Sequence, residues 1–474
     1  GEWQKFSLYL ILVFFPLVCT AYFLLPHRFR WILLLGASCW FYMAFVPVYI
    51  LILAFTILVD YVAGILIEDS TGRRRRLYLV ASIIANTGVL AIFKYWNFLN
   101  QNIGELFHAA GLAYSVPDLG ILLPIGLSFH TFQSLSYTIE VYRGNLKAER
   151  HAGIFALFVM FFPQLVAGPI ERGQALLHQF HEPKRFSYAA TEWGLVKIVH
   201  GFFKKVVVAD GLSGYVDSVY GNADHASSLS LLLATIFFAV QIYCDFSGYS
   251  DIAVGTARVL GIELMENFRR PYLSTSMQEF WSRWHISLSS WFRDYVYIPL
   301  GGNRVVKWRW YYNLMITFMI SGLWHGADWT FVIWGFLHGA YLVLGLMLAG
   351  PRARLGTLLG LDRVPRLRAV LNWGITMLLV VLAWVFFRAT DVHQAFAVLK
   401  GILLFDGRLQ LSAFAAKGGL LTPAIGVLLI GLLALSYRLP YDLRLRHPRR
   451  FIVAATLLII LLGSNGGEFI YFQF

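Results

Sequence analysis

Two histidines forty positions apart, His285 and His325, are the residues of this chain best suited to chemistry. His325 closes an almost purely apolar run, Leu314 to Trp324, between Gly322 and Gly326 and beside the aromatic residues Trp324 and Trp329. An ionisable group in a membrane-grade segment is costly and therefore a functional candidate. A neutral imidazole, with an unperturbed pKa of about 6.5, can take a proton from a hydroxyl near neutral pH. A structural, hydrogen-bonded histidine is the alternative. His285 lies in an aromatic stretch with Arg283, Arg293 and Asp294. If Gln278 to Asp294 is one helix, Trp281, Trp284, Leu288 and Trp291 or Phe292 form an apolar stripe, and His285 and Ser289 share another face. On that spacing alone an amphipathic helix at the membrane interface, with His285 hydrogen-bonded in the core, comes ahead of a chemical role.

A third group, Asp245, Ser247, Ser250 and Asp251, follows Tyr243 at the end of an apolar run. Buried carboxylates need partners, and Arg258, Arg269 and Arg270 are available, so an ion-pair network comes ahead of general-base work. His130, among Phe129 and Phe132, reads as structural, with lining of a cavity as the alternative. His108, His151, His178, His181, His200, His225, His338, His393 and His447 mostly fall near loops or helix ends and read as surface or structural. No GxSxG, HExxH or GxxxxGK[ST] pattern occurs, and no histidines stand at metal-ligand spacing with carboxylates or cysteines.

These residues sit in a chain of 474 residues that is 58% hydrophobic and only 14% charged, with a mean hydropathy of +0.63. A soluble protein carries about 25% charged residues, so this is an all-α polytopic integral membrane protein with no separate soluble domain. The net charge of +13 comes from short basic clusters between apolar runs, which argues for membrane topology and against nucleic acid. Cys19, Cys39 and Cys244 lie inside apolar segments without a CxxC pair and read as core.

Ser7 to Leu25 runs into a basic turn without a small-residue cleavage site, and reads as a first span. Basic turns at Arg28 to Arg30 and Arg73 to Arg76 share one face, the cytoplasmic one by the positive-inside rule, which sends the N-terminus outward. Asn97 to Asp118 lacks Lys and Arg and reads as an external loop, followed by a span over about Leu119 to Val141. In FFPQLVAGP, Pro163, Gly168 and Pro169 interrupt an apolar segment. Broken backbone at membrane depth must be buried in protein or line a cavity, so a re-entrant or kinked element is expected. Gly194 to Ala209 carries Lys197, Lys204 and Lys205, and is either a snorkelling span or an interfacial helix. Arg258 to Arg309 holds eight basic and four acidic residues and reads as a cytoplasmic funnel. Spans over about Trp329 to Leu348, Ala369 to Phe387, Leu421 to Ser436 and Phe451 to Leu462 bring the count to about eleven plus re-entrant pieces, with the C-terminus outside. No internal repeat of the transporter kind is visible.

EFWSRWHISLSSWFRDYVYIPLGGNR followed by SGLWHGADWTFVIWG resembles the signature of the membrane-bound O-acyltransferases (MBOAT), in their bacterial alginate O-acetylation branch. LLPIGLSFHTFQSLSYTIEVYRG, FFPQLVAGPIERG, YCDFSGYSDIAVG, MENFRRPYLS and the C-terminal FIYFQF support it. One domain over 1–474 results: a signature core at about 122–334, N-terminal helices over 1–118 and C-terminal helices over 366–474. The resemblance implies a ring of tilted transmembrane helices with re-entrant and interfacial helices around a central tunnel. It makes His325 the essential histidine and His285 the second one. Trp324, Trp329, Tyr243, Asp245, Ser247, Asp251, Arg293, Asp294, Asn303, Arg304 and His130 are the expected substrate-channel residues. His130 stands where the family leads one to expect an aromatic such as Tyr.

The resemblance further implies acetyl-CoA as donor substrate, no bound cofactor or metal, and a periplasmic SGNH-type acetyltransferase as partner, with a polysaccharide as final acceptor. Membrane lipids surround the chain, in a bacterial inner membrane. D-alanyl or other acyl transfer from a carrier-protein thioester is the neighbouring alternative, and a transporter or scaffold in polysaccharide secretion the non-enzymatic one.

Overall fold

The computed structural model describes residues 13–44, 47–124, 126–165, 167–404, 421–464 and 470. FIYFQF, apart from Ile470, and the start of the first expected span lie outside them. Eight helices carry the argument: α1 (Ile50–Asp69), α2 (Gly72–Leu90), α3 (Leu127–Tyr142), α4 (Tyr188–Phe202), α5 (Ser228–Val259), α6 (Lys307–His325), α7 (Trp329–Met347) and α8 (Pro365–Arg388).

Five helical stretches among the described residues are long and apolar enough to cross a bilayer: Pro47–Asp69, Gly72–Ala109, Ser228–Val259, Trp329–Met347 and Pro365–Arg388. At 1.5 Å per residue, even the shortest nearly matches a hydrocarbon core about 30 Å thick. Leu51, Leu58, Ile375, Leu378 and Ile460 are among many large apolar side chains left exposed, as a lipid-facing surface requires. The chain is a multi-pass membrane protein, with a continuous buried core running from Val18 to Ile470.

Local chemistry sets the helix ends. Ser227 caps α5 by accepting from the Ser230 amide at 3.2 Å, and Asp328 caps α7 by accepting from Thr330 at 3.1 Å. α5 stops where Gly261 takes φ +83°, so that its N–H bonds Arg258 O and that of Ile262 bonds Ala257 O, both at 2.9 Å.

Several boundaries depart from the sequence reading. The stretch expected as an external loop after Asn97 instead begins as helix, which runs from Trp96 to Ala109, while the expected span from Leu119 becomes helical only at Leu127. α6 begins inside the basic region at Lys307, so the short apolar run before His325 belongs to a 19-residue helix. Met277–Arg283 and Ile286–Phe292 are separate short helices, which breaks the expected helix at Trp284 and His285.

The interruption around Pro163 is present. A nine-residue helix, Ala152–Met160, gives way to buried irregular backbone that leads to Gly173. Its polar groups are met from neighbouring elements: Ser38 Oγ accepts from Phe162 N at 3.1 Å, and Gln133 Oε1 from Glu171 N at 3.3 Å.

Candidate active site

α6 and α7 meet backbone on backbone. A Cβ on Gly322 would lie 2.3 Å from Phe331 O, and one on Gly335 2.3 Å from Phe318 O. Only hydrogen fits at either position, and the contact fixes the last turn of α6, which ends in His325. His325 Nδ1 stands 2.6 Å from the Ser321 carbonyl oxygen. A carbonyl can only accept, so Nδ1 carries the hydrogen and Nε2 the lone pair. That is the tautomer a general base needs.

The position of the second histidine, His285, is set by a break. His285 has φ +44° and ψ +56°, a left-handed conformation that is rare outside glycine and asparagine, and its side chain is fully buried. Asn267, from the MENFRRP stretch, holds this turn. Its backbone oxygen accepts from Ile286 N at 2.9 Å, while its side-chain oxygen accepts from Ser287 N at 3.1 Å and Ser287 Oγ at 2.8 Å. The kink turns the His285 ring toward His325: the ring centroids are 6.3 Å apart and the planes cross at 77°. Phe246 at 4.5 Å and Trp324 at 5.9 Å flank His285, and Trp334 at 4.8 Å and Phe387 at 5.7 Å flank His325. Two buried imidazoles thus meet edge to face in an aromatic surround, where electrostatic interactions are strengthened.

Of the other expected channel residues, Trp324 packs between the two histidines, 5.0 Å from His325. Tyr243 is buried against Tyr272 and Trp284. His130 is buried beside Phe129, whose ring lies 6.1 Å from that of His285. Trp329 instead is half exposed and donates to Asn102 Oδ1 at 2.8 Å, away from the paired histidines. Asn303 and Arg304 are exposed in the turn before α6. Arg293 pairs with Asp294 at 3.0 Å near the surface, and Arg172 bonds the other Asp294 oxygen at 3.3 Å.

The expected arginine partners of Asp245 and Asp251 are replaced by lysines. α4 and α5 approach through glycines, a Cβ on Gly201 falling 2.5 Å from Gly248 O. This closeness lets Lys204 reach Asp251 at 2.6 Å, Lys197 reach it at 3.3 Å, and Lys205 reach Asp245 at 2.7 Å. Arg258 and Arg269 pair locally with Glu263 and Glu266, and Arg270 bonds Leu439 O. The ammonium groups of the three lysines are therefore held in largely buried ion pairs. Ser247 is buried on the same helix.

Two features escaped the sequence reading. Lys94, in a π-helical turn spanning Ala91–Tyr95, donates to Trp324 O and to Ser128 Oγ at 2.8 Å, while Tyr95 donates to Leu323 O at 2.6 Å. Together they cap the carbonyl end of α6. A lysine at the end of an apolar run beside a π-bulge is the signal that could have found it. His338, read as surface or structural, is fully buried in α7, 4.9 Å from the Trp334 ring.

The fold is that of a polytopic helical membrane protein with two buried histidines in contact, and the comparisons with known proteins give its class. The family model described as MBOAT, membrane-bound O-acyltransferase family, matches residues 150–387. The chain is 38% identical to the probable alginate O-acetylase AlgI of Pseudomonas aeruginosa, over 90% of its own length and 79% of that relative. It is 34% identical to the peptidoglycan O-acetyltransferase of Helicobacter pylori, over 84% of its length and 79% of the relative. It is 29% identical to the teichoic acid D-alanyltransferase of Bacillus subtilis, over 55% of its length and 66% of the relative. The chain belongs to the membrane-bound O-acyltransferase family and is an acyltransferase.

Proposed function

We propose that this protein moves an acetyl group from cytoplasmic acetyl-CoA across the bacterial inner membrane for O-acetylation of an extracytoplasmic polysaccharide. The observation that carries this reading is the His325 tautomer, with Nε2 as base, facing His285 at 6.3 Å between ring centroids. His325 Nε2 takes the proton of the acceptor hydroxyl as its oxygen attacks the thioester carbonyl carbon. The C–S bond then breaks, and the sulfur leaves as CoA thiol with the proton His325 returns. His285 and Trp324 orient the reacting groups.

The helices form a ring of about eleven tilted spans around a central tunnel, with both termini extracytoplasmic. Arginines and lysines of the Arg258–Arg309 region draw the CoA phosphates to its cytoplasmic mouth. The immediate acceptor is the serine of a periplasmic SGNH-type acetyltransferase, which passes the acetyl group to the polymer. Relatives named for alginate and peptidoglycan O-acetylation support acetyl transfer to polysaccharide. The relative named for D-alanyl transfer supports a second reading, with an aminoacyl carrier-protein thioester as donor.

The test is CoA release from labelled acetyl-CoA by the full chain in detergent, with and without the partner. Turnover by wild type that falls about 10²–10⁴-fold in a well-folded His325→Ala variant is the expected result. Wild-type turnover unchanged in that variant would falsify the role of His325. Turnover with an aminoacyl carrier protein alone would transfer the assignment to the second reading.

A further inference from the structure

One aromatic ring beyond His325 lies another buried imidazole. Trp334 packs edge-on against both, its ring centroid 4.8 Å from that of His325 and 4.9 Å from that of His338. Trp281 Nε1–H donates to His338 Nδ1 at 3.3 Å. An indole N–H can only donate, so His338 Nδ1 holds the lone pair and Nε2 carries the hydrogen. This is the opposite tautomer to that of His325: one imidazole is arranged to accept a proton, the other to present a hydrogen bond.

His338 Nε2–H has no partner among the described residues, and neither has the buried indole N–H of Trp334. A buried donor left unmade costs about 1–3 kcal/mol. Trp334 and His338 are four positions apart on α7, so the two donors share one helix face. α7 is itself pinned to the helix of His325 at Gly322 and Gly335. Packing alone would be served as well by a phenylalanine, which carries no such penalty. Two orphan donors grouped on one face beside the base call for an acceptor atom that arrives with the substrate.

We propose that His338 is a third histidine of the acyl-transfer site, whose Nε2–H, seconded by the Trp334 indole N–H, receives the carbonyl oxygen of the acyl thioester. The assignment rests on the acyl-transfer reading above. As the acceptor oxygen bonds to the carbonyl carbon, its proton passes to His325 Nε2 and the C=O π pair moves onto the carbonyl oxygen. The resulting negative charge is held by the N–H of His338. The C=O then re-forms, the C–S bond breaks, and the sulfur takes the proton from His325. His338 keeps its own proton throughout, and Trp281 ensures that the proton stays on Nε2.

The test compares His338→Phe and His338→Gln in the full chain. It measures acetyl-CoA turnover together with binding of a ketone analogue of acetyl-CoA in which CH2 replaces sulfur. Loss of one preorganised donor lowers kcat about 10²–10³-fold, so His338→Phe should fall by that factor with KM within about threefold. His338→Gln, whose amide N–H reaches close to the Nε2 position, should regain at least about tenfold over His338→Phe, with analogue binding following the same order. Should His338→Phe fail to fold, Trp281→Phe serves instead. It releases the tautomer and should lower kcat without raising KM. A folded His338→Phe or Trp281→Phe variant at wild-type kcat overturns the proposal, as does a Gln variant no better than Phe. Absence of turnover in wild type strikes the acyl-transfer reading itself, and this inference with it.

Discussion

His285 and His325 come from two elements of different character and meet at 6.3 Å between ring centroids, one at a left-handed kink and the other at the last residue of a helix. Neither position tolerates a different backbone path, because the kink is held by Asn267 and the helix end by a glycine contact and two side-chain caps.

The left-handed backbone at His285 separates its conformational from its chemical role. Asparagine adopts that conformation readily, whereas a β-branched residue does not. His285→Val should therefore lose about 1–2 kcal/mol more stability than His285→Asn, while both lose activity. Thermal unfolding in detergent compares them, and equal stabilities would show that the kink is unstrained.

Asn267 supports the turn that carries His285. In Asn267→Ala the buried Ser287 N–H loses its acceptor, a cost of about 1–3 kcal/mol. Turnover should drop through kcat, because His285 shifts while the donor mouth is untouched. A variant that changed KM alone would contradict this.

At Gly322 the nearest obstacle to a methyl group is backbone, which cannot rotate aside. Gly322→Ala should cost about 1–3 kcal/mol and disturb His325 three residues on. Gly36→Ala is the control, since a Cβ there meets nothing within 4 Å. The two melting temperatures should differ by several degrees.

Asp251 answers two lysines, so its loss and theirs are unequal. Asp251→Leu strands both ammonium groups inside the protein and should cost about 3–5 kcal/mol. Lys204→Met leaves Lys197 beside the carboxylate and should cost less. Denaturation of detergent-solubilised protein gives the order directly.

Glu171, outside the spans, is buried beneath the irregular segment, where burial pushes its carboxyl up to about 7. A folded-state pKa above the unfolded value means that the proton is held more tightly in the native state. The stabilisation is full below about pH 4 and is lost as pH rises through about 7. Glu171→Gln keeps an acceptor for Met265 N, which Glu171 now bonds, and removes the titration. Between pH 5 and pH 8 wild type should lose melting temperature relative to the Gln variant. Parallel pH profiles would rule the effect out.

Membrane character, the two histidines and the interrupted segment near Pro163 were legible because each depends on composition or on neighbours in the chain. Hydropathy sums over contiguous residues, and a proline in a helix interior breaks that helix. The partners of Asp245 and Asp251 were misread for the complementary reason. Arg258 is close in sequence, but Lys197 of α4 and Lys204 and Lys205 of the turns that follow it are close in space, brought there by glycines whose effect depends on what faces them.

The sequence by itself determined that this chain is a polytopic helical membrane protein of the O-acyltransferase family, and it singled out His325 and His285 as candidates. Tertiary structure alone decided that the pair meets edge to face, that Lys94 and Tyr95 cap the helix of His325, and that His338 is buried against Trp334. The physical reason is that tautomer, orientation and burial belong to contacts between elements far apart in the chain, and local periodicity carries no information about them.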